Sequence, residues 1–381
     1  MRCCVVAQLG SKMSEYLEKY PVLKMGAYLM NAAIGGVHIK TARAISGFST
    51  QTLNQGAIKD IRYFNLLEDT RTVVSSFINV DKDDVAISSN TSMNMNLFAM
   101  MLKEEGFKKV IAPSIEFPSS TLPWFHHGYE VELIKPIDGK IDEEELINAT
   151  KGQKSLIVCS GVQYLTGQRM NLKLLSDKLQ DTDSELIINS TQEIGQFPID
   201  LRSLDYLGFT ASTHKWLGAD LGLSLISIPR DKRRKLKMPI GGWTSVKEPW
   251  LLENSMPDFL DDMGAFQIGS LPFNMLAGLK SALEVQMNIG SGVIEKKLLE
   301  NSNLLTKAIK DQGYELISPR GESCSSGICS FKFDQDLENA LAFLEEHKVF
   351  VNGRKGSIRA SIHFYNSIED VKRFEEALRL I

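Results

Sequence analysis

Long apolar runs are missing from this chain of 381 residues. A helix that spans a membrane needs about 18 or more consecutive apolar residues, and no such run occurs, so we expect no membrane span. The first residues, MRCCVVAQLGSKMSEYLEKY, combine one arginine with a short apolar run and an early return to charge. That pattern is a poor match to a signal peptide, and we therefore expect a cytoplasmic protein.

Cysteine and excess positive charge are also scarce. The five cysteines are an odd number in a long chain, which does not suggest a disulfide framework. They are Cys3, Cys4, Cys159, Cys324 and Cys329. The segment CSSGIC lacks the CxxC spacing and a nearby histidine cluster, so we expect no metal site. The net charge is −4 and no basic block occurs, which makes nucleic acid an unexpected partner.

What the chain does contain is a regular alternation of helix-like and strand-like segments between about residues 56 and 230. The strand-like runs VAIS, KVIAP, LIVCS and LIIN do not alternate between apolar and polar residues. Strands of this kind are typical of sheets covered on both faces. The sequence therefore predicts an α/β fold with a mainly parallel sheet and helices on both sides.

The alternation of helix-like and strand-like segments ends near residue 231, where a polar segment that contains several glycines and prolines begins. After it, the sequence predicts one or two long helices and a small α+β unit that ends in an amphipathic helix. We expect an N-terminal segment, 1–55, that packs on this small unit. A large α/β domain would cover 56–265, and a connecting helix with the small C-terminal domain would cover 266–381.

In an open α/β sheet, ligands lie beyond the carboxyl ends of the strands. One strand end is followed by SSNTSMNMN, residues 88–96, where hydroxyl and amide side chains open a helix. The free N–H groups of a helix N-terminus make this a candidate phosphate site, with Thr91 and Ser92 as hydroxyl donors. The alternative is simple N-capping by Asn90 or Thr91.

Two other strand ends carry residues suited to an aromatic ligand. Phe117 follows the strand KVIAP and could stack on a planar ring, or it could simply pack on the core. Asn189 ends the strand ELIIN and is followed by Gln192. A polar side chain there could reach a ring nitrogen, whereas a turn-forming asparagine needs no ligand.

The sharpest candidate is Lys215, in FTASTHKWLGADLGLSLISI. It stands with Ser212, Thr213 and His214 between two apolar runs. Lysine is rarely buried without a partner, and desolvation favours the neutral amine that forms a Schiff base with a carbonyl. The alternative is an ordinary lysine in a loop between strands.

With STHKWLG and the upstream segment NSTQEIGQFPIDLRSLDYLGF, the chain resembles the class V family of pyridoxal-phosphate enzymes, which have the aspartate-aminotransferase fold. This family includes aminotransferases, cysteine desulfurases, selenocysteine lyases, kynureninases and isopenicillin-epimerase-like proteins. The resemblance runs from YLMNAAIG at residue 28 to HFYNSIEDV at residue 363. It implies a pyridoxal 5′-phosphate cofactor, an amino acid substrate and a homodimer.

The resemblance also implies a role for individual residues. Lys215 would carry the cofactor and move the proton at the substrate Cα, and Arg359 would bind the substrate α-carboxylate. Asn31 would line the substrate entrance. The remaining cofactor contacts would come from Thr91, Ser92, Phe117, Gln163, Asn189, Gln192, Ser212, His214 and, across the dimer interface, Ser270.

Three departures from the family pattern affect the expected reaction. Asn189 replaces an aspartate that normally keeps the pyridine nitrogen protonated, so the electron sink should be weaker. Phe117 replaces the histidine that desulfurases place on the ring, and residues 345–358 contain no cysteine to accept sulfur. We therefore expect an aminotransferase first, with a carbon–sulfur lyase or an epimerase as the alternative. A family member with weak or no catalysis is the second alternative.

Overall fold

The computed structural model describes residues 16–56, 61–255, 257–354 and 356–381. Its centre is a seven-stranded sheet with the order β2-β8-β7-β6-β5-β3-β4. The strands are β2 (Val85–Ser88), β3 (Lys109–Pro113), β4 (Glu130–Ile134), β5 (Ser155–Ser160), β6 (Glu185–Asn189), β7 (Gly208–Ser212) and β8 (Ser224–Ser227). All neighbours pair in parallel except β8, which is antiparallel to both β2 and β7. The predicted mainly parallel sheet is confirmed.

Both faces of this sheet are covered because successive strand residues enter different apolar clusters. On β5, Ile157 packs in one cluster and Val158 in the other. On β6, Ile188 and Ile187 divide in the same way. This explains why the strand-like runs lack alternation: each side chain points into a core.

In the described part of the chain, helices cover the large sheet and contribute to a smaller unit. They are α1 (Ile39–Gln55), α2 (Ile61–Ile78), α3 (Thr91–Glu104), α4 (Pro118–His126), α5 (Glu143–Asn148), α6 (Leu172–Leu179), α7 (Arg230–Arg233), α8 (Phe273–Ile289), α9 (Ser291–Asp311), α10 (Leu337–Glu346) and α11 (Ile368–Leu378). Helices α2 and α8 supply apolar side chains to one cluster, and α3 and α4 supply them to the other. In these ranges no helix is long and apolar enough to cross a membrane.

A smaller unit with its own apolar cluster follows α9. Its antiparallel sheet has the order β11-β12-β9, formed by Asn352–Arg354, Ser357–Ser361 and Ile328–Lys332. A short strand near the N-terminus, β1 (Ala27–Tyr28), pairs in parallel with β10 (Val349–Phe350) of this unit. The domain boundaries that we placed at 55/56 and 265/266 stay a prediction.

The turn after β6 contains a close approach that fixes the backbone near Lys215. Gly195 has φ +90°, and a Cβ there would lie 2.6 Å from the carbonyl carbon of Trp216. Gly152 has a similar φ of +85° but has nothing within 4 Å of the same position. Replacing Gly152 by alanine tests only the free-energy cost of the left-handed backbone. Replacing Gly195 tests that cost together with the cost of the steric clash.

We expect Gly152→Ala to lower the free energy of unfolding by about 1–2 kcal/mol, because only the left-handed conformation is affected. Gly195→Ala should cost a further 1–3 kcal/mol or so, because the methyl group also displaces backbone atoms. Urea unfolding followed by circular dichroism measures both. Equal losses in the two variants would contradict a tight contact at Trp216.

Candidate active site

A cavity of about 350 Å³ lies beyond the carboxyl ends of the parallel strands and is closed on one side by the small unit. Helix α3, the β7–β8 connection and the β11–β12 hairpin all contribute to its wall. Most of the residues that the sequence indicated lie on this wall. They are Thr91, Ser92, Phe117, Asn189, Gln192, Ser212, His214, Lys215 and Arg359.

Lys215 extends from the end of β7 into the cavity. Burial, and after it the positive charges of Arg359 and Arg354, together lower the pKa of its amine to about 7. The Nζ atom lies 5.3 Å from the centroid of the Phe117 ring. A large share of the amine is therefore neutral at physiological pH, which is the nucleophilic form. The ordinary loop lysine, our alternative for this position, does not fit this environment.

The N-terminus of α3 presents hydroxyl groups to the same cavity. The Thr91 and Ser212 hydroxyl oxygens lie 2.5 Å apart, and Ser92 follows in the first turn. Asn90 caps the helix, since its side chain accepts a hydrogen bond from the backbone N–H of Met93 at 2.8 Å. Capping and ligand binding are therefore compatible here: Asn90 serves the helix, while the hydroxyls and the helix dipole face the cavity.

Three side chains with rings, Phe117, Tyr164 and His214, line the same cavity as the amine. The side chain of Phe117 is 44% exposed and lies on the cavity wall, so it is not a core residue. Tyr164 meets its ring edge to face, with centroids 5.2 Å apart. Burial and the charge of Lys215 lower the pKa of His214 to about 4, so its imidazole is neutral at pH 7.

Asn189 ends β6 with its side chain on the cavity wall. Its Nδ2 donates to the Ser120 hydroxyl at 2.8 Å, and its Oδ1 accepts from the backbone N–H of Thr191 at 3.1 Å. Asn189 therefore forms the turn that we considered as its alternative role, and its side chain also lines the cavity. The amide is held in place by both contacts and carries no charge.

Arg359 lies on β12 and is almost fully buried, with 1% of its surface exposed. One Nη donates to the backbone oxygen of Tyr164 at 2.9 Å, and the other donates to Oδ1 of Asn352 at 3.2 Å. Its Nε has no hydrogen-bond partner among the described residues. A buried guanidinium with an unused donor and no carboxylate partner is suited to binding an anion.

The structure places three predicted residues away from the cavity wall. Asn31 was expected at the entrance, but it is fully buried behind it, where it donates to the backbone oxygen of Ser361 at 2.8 Å and accepts from the hydroxyl of Tyr365. Gln163 is buried, and Ser270 is exposed on the surface. Contact of Ser270 with a phosphate in a second subunit stays a prediction.

Two charged residues near the cavity were missed in the sequence. Glu116 is buried and accepts hydrogen bonds from Gln163 Nε2 at 2.8 Å and from the backbone N–H of Ser160 at 2.7 Å. Burial raises the pKa of its carboxyl group, against the effect of these hydrogen bonds. Arg354 lines the cavity near Arg359. The signal for Arg354 was its place in the segment NGRKGSIR, where a hairpin puts both arginines on one face.

The family model of the class-V aminotransferases matches residues 27–374. A probable cysteine desulfurase from Pyrococcus abyssi is 25% identical over 331 residues, which cover 81% of each chain. The uncharacterized aminotransferase YcbU from Bacillus subtilis is 22% identical and covers 94% of this chain and 95% of that protein. A solved structure of a cysteine desulfurase from Thermococcus onnurineus NA1 has a TM-score of 0.88 at 20% identity, with 96% and 97% of the chains covered.

The chain belongs to the class-V aminotransferase family, as the match to its family model shows. The predicted family, fold class and pyridoxal 5′-phosphate cofactor are therefore confirmed. The donor set of this cavity fits that cofactor part by part. A largely neutral lysine amine suits its aldehyde, the hydroxyls at the α3 N-terminus suit its phosphate, and the exposed ring of Phe117 suits its aromatic ring.

The lowered pKa of Lys215 has a measurable consequence in the cofactor-free protein. Below pH 7 the ammonium form predominates and lacks the lone pair that attacks an acylating reagent; above pH 7 the amine predominates. We expect acetylation of Lys215, followed by mass spectrometry, to be half-maximal near pH 7. Nα-acetyl-lysine added as an internal standard should respond only as the pH approaches about 10. A Lys215 profile that follows the standard would contradict the desolvated amine.

Proposed function

We propose that this protein is a pyridoxal-phosphate enzyme that acts on the α-amino group of an amino acid, with transamination as its reaction. The observation that carries the proposal is the presence, in one cavity, of an amine with a pKa of about 7 at Lys215 and a buried guanidinium at Arg359 that has no carboxylate partner among the described residues. The first suits proton transfer, and the second suits recognition of the α-carboxylate.

When bound, the cofactor supplies an electron sink for the electron pair left at the substrate Cα. Thr91, Ser92 and Ser212 would hold its phosphate through their hydroxyls, with the neutral His214 beside them. Phe117 would lie against its ring, and Asn189 would offer an uncharged amide to the ring nitrogen. Gln192 would lie near the 3′-oxygen of the cofactor, and its Nε2 already donates to the backbone oxygen of Ala32 at 2.9 Å.

The substrate would be oriented by Arg359, because a planar guanidinium can bind a carboxylate through two parallel hydrogen bonds. The Tyr164 and Asn352 contacts hold this guanidinium in a fixed direction. Lys215 would then take up the proton at the substrate Cα and serve as the proton carrier of the site. Transamination requires no acid or base group beyond one such carrier.

Elimination of a substituent is helped, in addition, by an acid that protonates the leaving group. Phe117 has no ionisable group, and His214 is neutral at pH 7. These features favour transamination over elimination. The neutral Asn189 also supports the further alternative of a family member with weak catalysis, since an amide stabilises a ring cation less than a carboxylate does.

A carbon–sulfur lyase is the second candidate, and the similarity to probable and solved cysteine desulfurases favours it. Transfer of sulfur to a protein cysteine is not supported by the described residues. Cys159 and Cys329 are fully buried, Cys324 does not line the cavity, and Cys3 and Cys4 lie outside the described residues. The lyase alternative is therefore direct release of sulfide from the substrate.

Product analysis distinguishes the two reactions. We expect a panel of amino acids to yield the matching 2-oxo acid over many turnovers only when a second 2-oxo acid is present as amino-group acceptor. Lys215→Ala should lower this rate by about 100-fold or more, because the proton carrier is lost. Lys24→Ala, at an exposed position outside the cavity, is the control. Release of sulfide from cysteine without an acceptor would instead support the lyase.

Asn189→Asp tests the weakened electron sink. The aspartate can keep the contacts with Thr191 and Ser120, and its charge would stabilise a protonated ring nitrogen. We expect exchange of the substrate Cα proton for deuterium, followed by NMR, to accelerate about tenfold or more. Asn339→Asp adds the same charge on exposed α10 as a control. An unchanged exchange rate in a folded Asn189→Asp variant would contradict the role of the amide.

A further inference from the structure

Arg354 places a second guanidinium on the wall of the same cavity, where the reaction proposed above gives it no role. In the β11–β12 hairpin, Asn352 stands opposite Arg359, and Arg354 stands opposite Ser357. Residues two apart on a strand share a face, and so do residues directly opposite each other. Arg354 and Arg359 are therefore diagonal neighbours on one face of the hairpin.

The charge of Arg354 is not neutralised by the part of the chain that the structure describes. The Nη1 atom of Arg354 donates a hydrogen bond to the backbone oxygen of Gly353 at 3.0 Å. None of the ion pairs between described residues includes Arg354. Among the described residues that line the cavity, none is an aspartate or a glutamate. Arg354 and Arg359 thus bring two positive charges to the wall beside the largely neutral Lys215, with no acidic side chain from these residues.

The repulsion between Arg354 and Arg359 costs free energy in the unliganded protein, and a purely structural role for Arg354 would not explain why this cost is retained. Burial, followed by the charge of Arg354, lowers the pKa of Arg359 to about 10. The same two arginines also lower the pKa of Lys215. Like charges on one face of a strand pair repel each other, so the arrangement is relieved when an anion binds between or beside them.

The backbone of the hairpin holds Arg354 in this position. The Ser357 hydroxyl donates to the backbone oxygen of Arg354 at 2.6 Å and closes the end of the hairpin. Diagonal neighbours have Cβ atoms about 7–8 Å apart. Two long side chains starting at this spacing can approach the two ends of one short ligand, whereas a single carboxylate occupies only one guanidinium fork.

We propose that Arg354 binds the side-chain carboxylate of a dicarboxylic amino acid while Arg359 binds its α-carboxylate. The inference rests on the proposed function, because it names the substrate class of that reaction. The corresponding dicarboxylic 2-oxo acids, which carry the same two carboxylates, would be the amino-group acceptors. Amino acids with neutral side chains would leave the guanidinium of Arg354 without a partner in the complex.

The first test compares acids with their isosteric amides. With the wild-type holoenzyme, kcat/KM should favour aspartate or glutamate over asparagine and glutamine. Arg354→Gln should lower kcat/KM for the preferred acid by about 30-fold or more, because the bound carboxylate loses a charged partner. The amides should change by less than about threefold, a range expected for an interaction that they do not make. Arg379→Gln, an exposed arginine outside the cavity, is the matched control.

Two further variants keep the test decisive. Arg354→Lys retains the charge without the planar fork, so it should recover part of the lost preference for acids. It also serves in place of Arg354→Gln if the neutral variant does not fold. Arg359→Gln should instead reduce kcat/KM for acids and amides alike. Equal losses for both substrate types in Arg354→Gln would overturn the proposal, because they would assign Arg354 to the α-carboxylate or to the cofactor.

Binding without turnover separates this inference from the proposed function. Calorimetry on the holoenzyme in phosphate-free buffer would compare succinate and glutarate with propionate and butyrate. We expect the diacids to bind more tightly and Arg354→Gln to remove that preference. If no amino acid reacts but the Arg354-dependent preference is found, the proposed reaction fails and the diacid site stands. If amino acids react and the diacids show no such preference, the diacid site fails and the reaction stands.

Discussion

The fixed backbone around Lys215 is the constraint on which the rest of the site depends. The amine of Lys215 can react with a ligand in the cavity only if its side chain points there. Segments distant in the sequence fix the backbone from which this side chain extends. The backbone N–H of Gly35 donates to the oxygen of His214 at 3.0 Å. A Cβ at Gly35 would lie 1.8 Å from the oxygen of Lys215, so this approach requires glycine. The N-terminal segment is thus packed directly against the lysine loop.

The next residue, Trp216, joins the large and small parts of the fold. Its backbone oxygen accepts from Gln286 Nε2 of α8 at 2.7 Å and contacts His363 Nε2 at 3.0 Å. Phe364 donates its N–H to Nδ1 of the same imidazole at 2.8 Å, which makes Nε2 the protonated nitrogen. Burial lowers the pKa of His363 to about 4, so this neutral tautomer persists at physiological pH. The position of the β12 arginine is therefore tied to the position of the lysine.

Sequence reasoning succeeded where the decisive pattern was local. The unbroken apolar runs predicted strands buried on both faces, and the rule about strand ends led to Lys215, Asn189 and the α3 N-terminus. It failed where the outcome depended on distant pairing. Asn31 is buried because Ser361 and Tyr365, more than 300 residues away, bond its amide. Arg354 becomes relevant only when the hairpin register places it beside Arg359, and the segment NGRKGSIR indicates a hairpin without fixing that register.

The side chains on the cavity wall differ in charge. Asn189 is neutral and Phe117 offers no acid, so under the proposed function the electron sink would receive little help from these two residues. Arg354 and Arg359 concentrate positive charge on the wall, and none of the described residues that line it is acidic. Binding energy from substrate groups remote from the reacting bond can be used to lower the barrier at that bond. An anionic substrate bound by the two arginines would have its Cα held at Lys215. This orientation would lower the barrier and so compensate for the weaker stabilisation of charge by the neutral amide of Asn189.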